Sequence, residues 1–292
     1  LPAVTLASSN DWQSETQAGR AAYGEGDYEL AEKHFRTALK IAEKEFGEKD
    51  ERLATTLNSL GLVYLELARY HDAEPTFQRS IKAFEAALGS DAVQVAAVSG
   101  NLGLLYKVQG RYADAAPLYR RALEIDEATL GKDHPDVATD LNNLAMLYHG
   151  LDKDDRAEPL LQRAIKIQEK ALGPKDPEIA TSLSNLGLIY RSTGRYDAAD
   201  PLYRRALKID EAALGPEHPT VALRYNNLGV LRYYQGRYEE AEKYYRRALA
   251  IYEGVFGPTH PSVAQTIDNL ALLMRKTGRT EEAAILEAQI KD

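Results

Sequence analysis

The sequence predicts an all-α fold, a right-handed superhelical solenoid of seven helix–turn–helix repeats, on three observations. Alanine recurs every 42 residues at Ala31, Ala73, Ala115, Ala157, Ala199, Ala241 and Ala283. Glycine keeps the same spacing at Gly47, Gly89, Gly131, Gly173, Gly215 and Gly257. A second alanine series does so at Ala54, Ala96, Ala138, Ala180, Ala222 and Ala264. Independent series sharing one period without an insertion identify tandem units, each burying its apolar face on the next.

One unit shows why its elements are helices. From Pro135 to His149, the apolar residues Val137, Leu141, Leu144 and Leu147 fall on one helical face. A turn at residues 150–155 leads to a longer helix from Asp155 to Leu172, with Leu160, Leu161, Ala164 and Ile167 among its apolar positions. Gly173 ends it, as a left-handed C-terminal residue does. Pro177 opens the next helix at its first position, where a missing N–H costs nothing. Pro75, Pro117, Pro159 and Pro201 fall inside second helices, where each removes a backbone donor. Small residues midway along the first helix (Gly103, Ala145, Gly187, Gly229, Ala271) and early in the second (Ala31 and its series) predict a close helix crossing. Ala199→Leu should overpack that crossing by roughly 1–3 kcal/mol.

Phasing on the second alanine series gives units 12–53, 54–95, 96–137, 138–179, 180–221, 222–263 and 264–292. The first is divergent and the last is short, with Glu287 where an apolar residue is usual, as on a solvent-facing cap. Residues 1–11 form an N-terminal extension, either the tail of a secretory signal or a cloning boundary.

Composition narrows the function. The chain has 292 residues, no cysteine, and a net charge of −8. Disulfides, thiolate metal sites and cysteine nucleophiles are excluded, and nucleic acid is a poor partner for so acidic a chain. No run approaches the roughly 18 apolar residues that span a bilayer. The expected compartment is the cytoplasm, or the periplasm or exterior if residues 1–9 are a signal remnant.

Tyr64, Tyr106, Tyr148 and Tyr190 in the first helices, together with the small residues above, resemble the tetratricopeptide repeat. The 42-residue unit, the run from Leu130 to Ala145, Gly110-Arg111-Tyr112 and the run from Tyr119 to Leu123 are similar to kinesin light chain repeats. Kinesin light chains also carry a heptad coiled coil, which this sequence lacks. The resemblance implies a non-catalytic adaptor with a peptide groove on its concave, first-helix face.

The sixth residue of successive units is Gln17, Ser59, Asn101, Asn143, Asn185, Asn227 and Asn269. Mid-helix asparagine is unfavourable by roughly half a kcal/mol against alanine. Its amide can both donate to and accept from a peptide main chain. The resemblance gives these asparagines that role. The alternative is that they bridge neighbouring helices, and one amide can do both. Three residues on come Leu62, Leu104, Met146, Leu188, Val230 and Leu272, apolar seats or ordinary core. A further turn brings Lys107, His149, Arg191, Tyr233, Tyr234, Arg275 and Lys276, with Arg20 from the first unit, against only Glu66 and Asp268. That balance predicts a basic groove for acidic peptides, or else a solvated helix face. Self-association through the end repeats, or a sensor role within a larger protein, are the competing readings.

Features that suggest chemistry are better explained by structure. His134, His218 and His260 stand just before prolines at places that Asp50 and Asp176 take elsewhere, so they are expected to cap helices rather than bind metal. Gly19-x4-Gly24 lacks the lysine of a phosphate loop, and Gly24-Glu25-Gly26 follows no strand. Asp152-Lys153-Asp154 lacks the later ligands of a calcium loop and reads as a variant turn. No catalytic constellation, cofactor or metal is expected.

Overall fold

The computed structural model describes residues 2–288, with side chains from residue 10 onward, and every regular element there is one of fourteen helices. Two compact units divide the chain, Leu1–Leu151 and Asp152–Asp292. The first holds α1 (Pro2–Gly24), α2 (Tyr28–Glu45), α3 (Glu51–Glu66), α4 (Tyr70–Leu88), α5 (Val93–Val108), α6 (Tyr112–Thr129) and α7 (Pro135–Gly150). The second holds α8 (Asp154–Leu172), α9 (Pro177–Ser192), α10 (Tyr196–Leu214), α11 (Pro219–Tyr234), α12 (Tyr238–Phe256), α13 (Pro261–Lys276) and α14 (Thr280–Ala288). Within each unit every helix packs on the next, and odd-numbered helices also touch side by side, as α5 with α7 and α9 with α11. The odd helices are the first helices of the repeats. Residues 2–11, read as an extension, continue straight into the first repeat as part of α1. The expectation of a signal remnant concerns residues whose side chains lie outside those described.

Local chemistry sets the helix boundaries. His134, His218 and His260 cap α7, α11 and α13, each Nδ1 accepting from the N–H two residues on, at 3.2, 3.2 and 3.1 Å. Asp50 and Asp176 make the equivalent bonds at 2.9 Å. Pro135, Pro177, Pro219 and Pro261 follow directly as the first helical residues. At the other end, Gly173 has φ 91° and ψ 155° rather than the left-handed helical values expected, and Gly215 matches it at 86° and 157°. Only glycine adopts that region readily, so the requirement is stricter than a left-handed cap would impose. Asp152 replaces the glycine of the short turn and takes φ 56° itself, which confirms a variant turn. The four internal prolines are accommodated without ending their helices.

The crossing inside the repeats is close. A Cβ built on Gly61, Gly103, Gly187 or Gly229 would come within 2.6–3.0 Å of the ring of Phe77, Tyr119, Tyr203 or Tyr245. The small residue of the first helix is therefore the seat of the aromatic ring one turn beyond the alanine of the second helix. That alanine is turned toward the following repeat: Ala199 is fully buried in one cluster with Tyr203, Leu228 and Leu231.

A polar clamp joins successive repeats. Glu74 on α4 accepts from the Tyr106 hydroxyl at 2.8 Å and from Arg111 at 2.7 Å, and that guanidinium lies 4.0 Å from the Tyr106 ring centroid. Glu158, Tyr190 and Arg195 repeat the arrangement. Arg232 replaces the tyrosine on α11; it is fully buried and pairs with Asp200 and Glu240. These contacts account for the first-helix tyrosine and the Gly-Arg-Tyr turn.

Candidate peptide site on the first helices

The predicted site residues come together most clearly in the first unit. Asn101, Leu104 and Asn143 line one cavity of about 500 Å³ between α5 and α7, joined by Gln94, Ala97 and Thr139. The asparagines are half-buried, whereas Leu104 is exposed. Asn101 already donates its Nδ2 to Asn58 Oδ1 at 2.9 Å, linking α5 to α3. Lys107 is half-buried one turn beyond Leu104, and burial holds its ammonium below the usual lysine range. Met146 and His149 follow half-buried on α7.

In the second unit, Asn185, Asn227 and Asn269 are again half-buried, with Leu188 and Val230 half-buried and Leu272 exposed. Asn269 donates to Asn226 Oδ1 at 2.9 Å, repeating the link seen at Asn101. Arg191 lies 5.6 Å from the Tyr234 ring centroid. Tyr233 meets Tyr234 edge-on at 5.7 Å and leans on Tyr238 at 5.8 Å. Arg275 donates to Glu287 at 2.6 Å, so that part-exposed carboxylate also neutralises a predicted groove cation.

The first-unit cavity is more acidic than the predicted first-helix site residues alone make it. Asp126, Asp136 and Asp140 line the α5–α7 cavity beside the asparagines. Asp126 and Asp140 are only 7% and 8% exposed, and each keeps one buried oxygen, Asp126 Oδ1 and Asp140 Oδ2, without a hydrogen-bond partner. Burial first, then the neighbouring Asp126 carboxylate, pushes Asp140 up to about 8. Burial likewise raises Asp126. The sequence does hold a signal for this pair. The equivalent positions one repeat earlier are the buried Phe84 and Val98, so the exchange of an apolar pair for two aspartates is visible along the repeat.

The tetratricopeptide repeat family model matches residues 13–86, 94–170, 141–212, 178–254 and 220–290. The chain belongs to the tetratricopeptide repeat family. A second tetratricopeptide repeat model matches residues 58–129. Among solved structures, BtubC (BKLC) from P. vanneervenii is 23% identical, with a TM-score of 0.63 over 87% of this chain and 94% of that one. A putative kinesin light chain of nearly identical TPR-like repeats from Podosopora anserina is 24% identical, with a TM-score of 0.59 over 68% and 95%. The Rap conjugation gene regulator of plasmid pLS20, solved in complex with the Phr* peptide, is 14% identical, with a TM-score of 0.68 over 96% and 72%. A search of curated proteins finds no match. These likenesses establish the shared fold. Among the described residues, no helix is long and apolar enough to cross a membrane.

Proposed function

We propose that this chain is a non-catalytic adaptor that holds an extended peptide along the first helices of its repeats. The carrying observation is that Asn101, Leu104 and Asn143, predicted as polar rungs and an apolar seat, line one open cavity. Amides and a leucine there suit a main chain with one anchoring side chain. The Rap regulator, which shares this fold, was solved in complex with a peptide, and that supports a peptide as the ligand here. Preference for acidic residues in the ligand belongs to the second unit, where Arg191 and Lys276 stand on the first-helix face. A few neutral hydrogen bonds of about 0.5–1.5 kcal/mol each, set against the ordering of a flexible peptide, give roughly micromolar affinity.

The test is a random-peptide display selection on the native chain and on the Asn143→Leu, Asn185→Leu double variant. A shared motif enriched by the native chain alone is the expected result. Equal enrichment by both proteins, or none by the native chain, would reject the groove.

A further inference from the structure

The chain contains its own precedent for the unpaired aspartates. Two repeats beyond Asp126 and Asp140, the equivalent positions are Asp210 and Arg224. There Arg224, on α11, is 5% exposed. Its Nε donates to Asp210 Oδ2 at 2.7 Å, and its Nη2 reaches Thr181 Oγ1 on α9 at 3.5 Å. In the first unit Thr181 corresponds to Ala97 and Arg224 to Asp140, and both of these line the open cavity between α5 and α7. The volume that an arginine head fills in the second unit is thus open in the first. The carboxylate that would receive that head is still present as Asp126, and a second carboxylate stands where the arginine began.

The intervening pair follows the rule of mutual satisfaction. Ser182 donates to Gln168 Oε1 at 2.6 Å in the same register. Against these two pairs, Asp126 and Asp140 face each other with at most one shared proton between them, and each keeps a buried oxygen without a partner. Such groups are destabilising unless something supplies hydrogen-bond donors and positive charge. A planar guanidinium carries five donors and matches carboxylate geometry, so it meets both needs at once.

We propose that the α5–α7 cavity receives the guanidinium of an arginine in the bound peptide, held between Asp126 and Asp140. This rests on the peptide reading above for the source of the arginine. It corrects that reading's charge preference in the first unit, where the ligand residue is basic. Asn101 on α5 and Asn143 on α7, which line the same cavity, hold the main chain on either side of the inserted residue.

The experiment is an NMR titration of the full chain, with backbone amides assigned around α5 and α7. The probe is N-acetyl-arginine amide, and its neutral isostere N-acetyl-citrulline amide is the control. Arginine amide should saturate shifts at Ala97, Asn101, Asp140 and Asn143, with citrulline amide at least tenfold weaker. Asp140→Arg, which rebuilds the Asp210–Arg224 pair, should lose the response. If that variant does not fold, the isosteric Asp126→Asn, Asp140→Asn double variant should lose it instead. Absent shifts, equal response to citrulline amide, or response to calcium chloride in place of arginine amide would each overturn the proposal. Peptide display separates the two readings. A native-chain motif with no basic position rejects the arginine pocket and leaves the groove standing. An arginine-amide titration with no display motif does the reverse.

Discussion

Asn101 and Asn58 share a side-chain hydrogen bond of 2.9 Å that joins the first helices of adjacent repeats. Asn269 and Asn226 repeat it in the second unit at the same distance. In each pair the sixth residue of one repeat donates to the fifth residue of the repeat before. Two rungs of the asparagine ladder therefore serve the stacking directly, and part of each amide stays engaged whatever lies in the groove.

Asn58→Ala removes the acceptor at one of these links without touching the sixth-position ladder. Urea unfolding should show a loss of about 0.5–1.5 kcal/mol, the usual worth of one part-buried hydrogen bond. Peptide binding, measured separately, should survive once the protein is folded. A loss of binding with no loss of stability would mean that Asn58 contacts ligand.

Gly187 has no room for a side chain, because its Cβ would stand 2.8 Å from Tyr203 Cε1. Gly187→Ala should destabilise by roughly 1–3 kcal/mol through overpacking. Elsewhere the chain carries alanine at the glycine's place, as Ala145, in the repeat whose second helix has Leu161 in place of tyrosine. Adding Tyr203→Leu to Gly187→Ala should therefore cost less than the two single changes sum to, and a double-mutant cycle on urea midpoints reads that coupling.

The Asp126–Asp140 pair should make stability fall as pH rises. Burial and the Asp126 carboxylate push Asp140 up to about 8 in the folded chain, against the ordinary carboxylate range when unfolded. Between those values the folded state binds more protons, so the stabilisation is complete below the unfolded pKa and is lost as pH climbs through the folded one. Around the pair stand Asp136 on α7, which reinforces the shift, and His134 in the preceding turn, which opposes it at Asp126. The cavity residues on α5, including Gln94 and Asn101, are uncharged. Thermal melts from pH 5 to 9 should show a decline that Asp140→Asn flattens. An identical decline in that variant would assign the effect elsewhere.

Histidine caps should be replaceable by aspartate. His218 accepts from the Thr220 N–H at the start of α11, and Asp176 makes the same bond at α9. His218→Ala should cost about 0.5–2 kcal/mol, whereas His218→Asp should restore most of the loss. Thermal melts of the two variants at pH 7 check this, and a fully destabilised aspartate variant would give the imidazole another role.

The repeat period, helix boundaries, histidine caps and glycine stops follow from the sequence alone. Each rests on residues close together along the chain: a cap and its N–H two positions on, or a glycine whose own backbone demands positive φ. What faces what across helices was decided only by the tertiary structure. The small residues predict a close crossing, but which aromatic ring seats on the glycine depends on the register that the helix crossing sets. Arg275 looked like a groove cation until α14 turned Glu287 back onto it. Asp126 and Asp140 lie fourteen positions apart on different helices; comparison with the previous repeat marks them, but only packing buries both and brings them together. The cavity beside them exists because no arginine extends from position 140 as one does from position 224. Local hydrogen bonds and backbone preferences can be read along a chain. Burial and charge proximity arise only when separate helices are brought together.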